Sequence, residues 1–102
     1  GESASISDGA PIVYSDNVVE SGNGRTMALK LMYKTNPEGA KKYVDYIKAN
    51  ADKFGIDANN LPANPVLVRE RLTDVDRVEF VKQANESNEF LLYICIKESS
   101  FF

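Results

Sequence analysis

The chain contains no histidine and no tryptophan among its 102 residues. Without histidine it can form neither a Ser-His nor a Cys-His nucleophile pair, and it has no imidazole for general base catalysis. Zinc and haem sites that use a histidine ligand are excluded for the same reason. Without tryptophan it lacks one of the side chains that most often anchor a binding hot spot. The missing catalytic groups favour a domain that binds over one that catalyses.

Cysteine is scarce as well, since Cys95 is the only one in the sequence and cannot form a disulfide within the chain. It lies in the most hydrophobic segment, residues 90–97. A reactive thiolate needs a lowered pKa and access to solvent, and the chain has no histidine that could activate it. We therefore predict a buried, inert thiol. No residue pattern points to a cofactor.

Length and composition predict one folded domain, because 43% of the residues are hydrophobic and 26% are charged, close to globular averages. Residues 1–9 are small and polar and are predicted to form a flexible leader, which leaves residues 10–102 as a single domain. The sequence does not begin with methionine, which indicates an N-terminus made by signal-peptide removal, by maturation or by removal of a purification tag, and slightly favours a secreted or periplasmic location over the cytoplasm. No apolar run approaches the roughly 18–20 residues of a membrane span, so no membrane insertion is expected.

Charge is unevenly distributed along the chain. The net charge of −3 is the sum of −4 over residues 1–24, +4 over residues 25–48 and −3 over residues 49–102. A chain with a pI near 4.9 is a poor candidate for sequence-independent nucleic-acid binding, which relies on many basic residues. We therefore expect no nucleic-acid partner, although the basic middle segment is suited to a local anion site.

The first half of the chain is predicted to form a β-hairpin followed by a helix. Residues 11–20 and 25–34 flank an Asn-Gly pair that readily reverses the chain, and this turn accounts for both glycines of residues 21–24, which match no phosphate-binding motif. Asn36 and Pro37 then predict a helix start, and an apolar stripe at spacings of three and four continues to Phe54. Gly55 is the expected left-handed cap.

The second half contains two predicted strands and one ambiguous segment. Residues 66–71 and 90–97 favour strands, and the second is apolar on both faces, which is typical of a central strand. Between them, the valines and phenylalanine of residues 76–83 favour a third strand, whereas residues 73–76 resemble a capping box that would begin a helix. The predicted fold is α+β: a single two-layer domain with a mostly antiparallel sheet and one long helix packed on it, in the order ββαβββ, with ββαβαβ as the alternative.

One acidic cluster is dense enough to consider as a site for Mg²⁺ or Ca²⁺. It comprises Asp74 and Asp76, with Glu70 and Glu79 nearby. Its spacing does not match an EF-hand loop, and the interleaved Arg69, Arg71 and Arg77 predict cross-strand ion pairs with these acids instead. We accordingly predict no catalytic residue and no metal ligand, and keep a small metal-assisted enzyme built around Asp74 and Asp76 as an alternative.

The leading hypothesis is a small, non-enzymatic interaction domain, an accessory or inhibitor-like protein that recognises another macromolecule. Its partner would be another protein or a second copy of the chain. The predicted contact residues are four lysines of the basic segment and the two aromatic residues at the end of the sequence: Lys30, Lys34, Lys41, Lys42, Phe101 and Phe102. A further alternative is an acidic mimic of nucleic acid, which would require the acids of the first and last segments to share one face.

Overall fold

A four-stranded mixed sheet organises the part of the chain that this computed structural model describes, residues 9–84 and 92–102. The strands are β1 (Ile12–Val13), β2 (Val19–Ser21), β3 (Pro65–Arg71) and β4 (Leu92–Glu98), in the order β2-β1-β3-β4. β1 pairs parallel with β3, whereas β1 with β2 and β3 with β4 are antiparallel. The predicted leader lies outside the described residues except for Gly9, and residues 85–91 lie outside them too.

The predicted α+β class is confirmed, but the mostly antiparallel sheet and the single long helix are wrong. Four α-helices occur in the described residues: α1 (Asn23–Thr35), α2 (Pro37–Ala49), α3 (Ala51–Phe54) and α4 (Arg77–Ala84). The chain passes through the first three between β2 and β3 and then returns parallel to β1, as a helical crossover permits. A short 3₁₀ helix, Ser99–Phe101, follows β4. None of the helices in the described ranges is long and apolar enough to span a bilayer.

Helix α1 occupies the segment for which the alternation of residues predicted the second hairpin strand. Its interior is rich in Met, Ala, Leu and Lys, which are strong helix formers. Leu29 and Tyr33 fit both periods, because a spacing of four satisfies a strand and a helix alike. In the structure they pack against the core, while Met27 is 63% exposed and Leu31 59% exposed. A strand over residues 25–34 would place all four of these side chains on one face.

The chain reversal predicted at the Asn-Gly pair lies earlier, between β1 and β2. The amide of Tyr14 donates to the Val18 carbonyl, and Asn17 has a positive φ of 65°. Gly22 precedes α1 in the left-handed conformation with φ 82°, so the glycine-rich segment joins a strand to a helix. The hairpin is therefore formed by β1 and β2 alone.

The predicted start and end of the second helical segment are confirmed. The Asn36 side chain accepts a hydrogen bond from the Gly39 amide at 2.9 Å, Pro37 is the first helical residue, and Gly55 ends the segment with φ 71°. The one predicted helix is interrupted at Asn50, which separates α2 from α3. The Tyr43 hydroxyl accepts from the Leu67 amide at 3.0 Å and so connects α2 to β3.

Strand β3 is the centre of the core and confirms the prediction for residues 66–71. Leu67 packs with Phe54 and Ala10 on one face, and Val66 and Val68 pack with Val13 on the other. Side chains of α2 and α3 cover the first face, and side chains of α1 cover the second. β4, predicted to be central, lies at an edge of the sheet within the described residues.

The ambiguous segment forms a helix, so the strand predicted for residues 76–83 is wrong and the helical alternative is right. Asp76 is the residue before α4, and its Oδ1 accepts from the Glu79 amide at 2.9 Å. Phe80 is 1% exposed whereas Val78 is 80% exposed, which shows a helical rather than an alternating pattern of burial. A local cap and one deeply buried aromatic ring thus override the β propensity of the valines.

Candidate functional site

Two groups of charged residues stand out in the structure, and the first is a buried ion network at one end of the sheet. Glu20 and Arg71 have side chains that are 0% and 1% exposed. Arg71 Nε and Nη2 donate to the two Glu20 carboxylate oxygens at 2.7 and 2.8 Å. Arg77 extends the network, because it donates to Glu20 at 2.9 Å and to Asp16 at 2.6 Å. The acids that pair with these arginines therefore come from β2 and the turn before it.

Arg71 and Arg77 do form ion pairs, but the predicted partners, the acids nearby in sequence, are wrong. The prediction paired these arginines with acids close to them in sequence, whereas the fold brings β2 next to α4. Glu70 instead pairs with Lys97 of β4 at 3.0 Å. In the described ranges, 9–84 and 92–102, there is no group of three or more acids or cysteines that could hold a metal ion.

All three nitrogens of the Arg71 guanidinium donate to protein groups. Its Nη1 donates to the carbonyls of Thr73 at 2.5 Å and Val75 at 2.7 Å, beside the two bonds to Glu20. The rings of Tyr14 and Phe80 lie 4.1 and 4.6 Å from the guanidinium carbon. Four of its five N–H groups are bonded and the side chain is buried, so this network stabilises the fold.

We expect the network to make stability depend on acid pH. Hydrogen bonds from Arg71 lower the pKa of Glu20 below its ordinary value of 4.5, against the opposing effect of burial. A lowered folded-state pKa means that the stabilisation is complete above about pH 4.5 and is lost as the pH falls through the folded pKa. Urea unfolding between pH 7 and pH 3 should show this loss, and the Glu20→Gln variant should show a flatter dependence. Identical profiles for the two proteins would contradict this assignment.

The second group lies in a cleft of about 810 Å³ between α1, the β1–β2 connection and the C-terminal residues. We call this the α1 cleft. Its volume is in the range of about 300–1,000 Å³ that is common for ligand sites. It is lined by Asn17, Val18, Val19, Asn23, Thr26, Met27, Ala28, Lys30, Leu31, Lys34, Phe101 and Phe102. Among the residues that the structure describes, this lining contains two lysines and no acid.

The C-terminal residues form one wall of the α1 cleft and are held in place from two sides. Phe102 packs against the core valines of β1 and β3, and its carbonyl oxygen accepts a hydrogen bond from Lys30 Nζ. Ser99 is buried, and its amide donates to the Asn64 carbonyl at 3.1 Å. Phe101, which lies between these anchors, remains 54% exposed. An aromatic ring is thus presented at the cleft by a fixed backbone.

Helix α1 gives this region its positive charge. It carries Arg25, Lys30 and Lys34 and no acid, and none of the three forms an ion pair with a described residue. Its N-terminus has no side-chain cap and no acid in the first turn. The amides of the first turn therefore add the positive end of the helix dipole to these charges.

The structure brings together four of the six predicted contact residues. Lys30, Lys34, Phe101 and Phe102 all line the α1 cleft. Lys41 and Lys42 lie on α2 outside the lining, and Lys41 is paired with Asp45 at 2.8 Å. This pair raises the pKa of Lys41 and lowers that of Asp45.

Other residues that line the α1 cleft were not predicted as contacts, namely Asn17, Asn23, Met27 and Leu31. The signal that could have found the last two is their spacing of four, which places both on one side of a helix once α1 is recognised as helical.

Cys95 is half-buried in β4, and burial raises the pKa of its thiol.

No curated protein and no solved structure matches the chain. The model of one protein family does match, over residues 1–72, and it is described as the ddrB-like ParB superfamily domain. The matched region contains β1 to β3 and α1 to α3, and therefore most of the α1 cleft.

Domains of the ParB-like family are generally non-enzymatic binding domains, so the prediction of a non-enzymatic domain is confirmed. They are typically DNA-binding partition proteins, so the expectation of no nucleic-acid partner is wrong. That expectation relied on net charge, whereas Asp16 and Glu20 are paired with Arg77 and Arg71 and the bases of α1 have no described acid beside them. Because the match covers more than half of the 102 residues, the chain belongs to the ddrB-like ParB superfamily domain family.

Proposed function

We propose that this domain binds DNA through helix α1 and the α1 cleft. The observation that carries the proposal is the charge of α1, which bears Arg25, Lys30 and Lys34 and no acid. DNA affinity comes largely from basic groups that neutralise phosphates and release counterions. The family to which the chain belongs is typically associated with DNA, which supports the same conclusion.

The N-terminus of α1 adds a second kind of phosphate contact. Neither a capping side chain nor a first-turn acid occupies its free amides, and no described residue lies within 4 Å of where a side chain at Gly24 would begin. Backbone amides at a helix N-terminus bind phosphate oxygens well because they point at the anion and the dipole favours negative charge. Arg25, in the same turn, is exposed and adds a positive charge to the helix, with its guanidinium close to Gly9.

The acidic net charge of −3 does not oppose this binding. Exposed charges farther apart than the Debye length of about 10 Å at 0.1 M salt are largely screened from each other. The charge close to the bound DNA therefore decides whether it is attracted, and at α1 that charge is positive. Lys42, exposed on α2, would contribute a flanking contact, while Lys41 is partly neutralised by Asp45.

The proposal is tested by fluorescence anisotropy with a labelled 20-nucleotide DNA, offered both as a single strand and as a duplex. We expect the full chain to bind at low salt and to lose affinity as salt rises. Arg25→Gln and Lys34→Gln should each weaken binding and reduce the slope of log K against log salt by about 0.7–0.9 for the lost phosphate contact.

Lys82→Gln is the matched control, because it removes the same charge from an exposed helical position outside the α1 cleft. It should leave both affinity and slope close to those of the unaltered protein. The proposal is wrong if neither form of DNA binds at low salt, or if the three variants weaken binding equally. The protein partner and the acidic-mimic alternative stay predictions.

A further inference from the structure

The α1 cleft combines an exposed aromatic ring with lysine side chains, and this combination is suited to single-stranded rather than double-stranded DNA. We infer that the cleft binds a single strand, with an unpaired base stacked on Phe101. The inference rests on the proposed function and specifies which form of DNA the cleft accepts. Proteins that bind single strands typically combine a positive groove with aromatic rings on which bases stack.

Phe101 is suited to stacking because its ring is exposed while its backbone is held. The ring is 54% exposed. On one side Ser99 is buried and bonded to Asn64, and on the other Phe102 packs in the core. Little conformational freedom is therefore lost when a base covers the ring. In a duplex the base faces are already stacked on each other, so only an unpaired strand can use this surface.

The lysines of the cleft determine the charge of its occupant. Lys30 and Lys34 line it, and no acid does among residues 9–84 and 92–102. Lys30 donates one of its three N–H groups to Phe102, which leaves two for a phosphate. Lys34 is exposed and has no ion pair with any described residue. A largely apolar groove whose described charged side chains are all positive fits an occupant that has apolar faces and a negative backbone, which describes single-stranded DNA.

Asn17 supplies a third observation, which is independent of charge. Its side-chain Oδ1 is buried in the cleft wall and has no hydrogen-bond partner among the described residues. A buried acceptor without a donor costs about 1–3 kcal/mol, so a ligand that brings a donor is favoured. Unpaired bases carry amino and ring N–H donors that a duplex uses for pairing. Because this oxygen is itself covered, the Asn17 side chain must turn toward the cleft before the edge of a base can bond to it.

The experiment compares Phe101→Ala with Tyr93→Ala in the full chain. Tyr93 is a matched control, since it is 56% exposed and lies on β4 outside the cleft lining. With labelled oligothymidine of 20 nucleotides, Phe101→Ala should bind about 5- to 150-fold more weakly, the loss expected for one stacked base. Tyr93→Ala should bind as the unaltered chain does, and Phe101→Trp should retain affinity.

A second variant protects the test against a change in the fold. Met27→Glu adds an acid to the cleft at a position that is 63% exposed, so it should weaken single-strand binding without lowering the Tm. If Phe101→Ala and Tyr93→Ala bind the single strand equally well, the inference is overturned, while loss of binding in Lys34→Gln would still support the proposed function. If a 20-base-pair duplex binds more tightly than the single strand, and the α1 variants weaken that binding, the inference is overturned and the proposed function is still supported. If neither form of DNA binds, both proposals are overturned.

Discussion

Replacement of Arg71 by methionine is expected to lower the free energy of unfolding by about 3–5 kcal/mol, the cost of removing one partner from a buried ion pair. Glu20 would keep its charge at a position with no solvent exposure and lose both bonds to Arg71. The carbonyls of Thr73 and Val75 would lose their donors as well. For a domain of this size the Tm should fall by at least about 12 °C, measured by circular dichroism.

The matched control is the exposed pair on α2. Lys41→Gln removes an ion pair of similar length, 2.8 Å, whose side chains are 78% and 58% exposed. Exposed pairs of this kind contribute little because water screens them and the side chains lose entropy. Its Tm should therefore be unchanged. Equal effects of Arg71→Met and Lys41→Gln would show that the buried network does not stabilise the fold.

The second large effect is expected for Phe80→Ala, which should lower the free energy of unfolding by about 3–5 kcal/mol. Phe80 is 1% exposed and lies under the Arg71 guanidinium, with 4.6 Å between the guanidinium carbon and the ring centre. Its removal leaves a cavity between α4 and the sheet and exposes the buried ion network to water. Urea unfolding measures the change directly.

Val78→Ala is the control for this variant, because it lies on the same helix and is 80% exposed. A surface change of this kind is usually within about 0.5 kcal/mol. The double variant Arg71→Met/Phe80→Ala should cost less than the two single changes added together, since the residues are in contact. Strict additivity would mean that the ring and the guanidinium do not support each other.

Segments with local signals were predictable from the sequence. Asn36 and Pro37 begin α2 and Gly55 ends α3, because caps and a left-handed turn depend on neighbouring residues alone. The alternation of residues 66–71 predicted β3. The strand predicted for residues 25–34 is wrong because Leu29 and Tyr33 fit both an alternating and a helical pattern of burial. The strong helix formers of this segment decide for the helix.

The candidate site was predictable in part. Lys30, Lys34, Phe101 and Phe102 were chosen from their charge or aromatic character, and the structure places all four in one cleft. Asn17 could not be found in this way, since its unsatisfied oxygen results from burial in a wall made by distant segments. The expectation of no nucleic-acid partner was wrong because the net charge sums all charged side chains, whereas the fold separates the bases of α1 from the paired acids Asp16 and Glu20.

By itself the sequence determined the absence of histidine chemistry, the ends of the second helical segment and the concentration of bases in residues 25–48. Only the tertiary structure decided that β1 lies parallel to β3, that Glu20 is the partner of Arg71, and that Lys30 meets Phe102. The physical reason is separation along the chain: Glu20 and Arg71 are 51 residues apart, and Lys30 and Phe102 are 72 apart. Caps and turns act between neighbours, whereas these contacts exist only once the sheet and α1 have packed together.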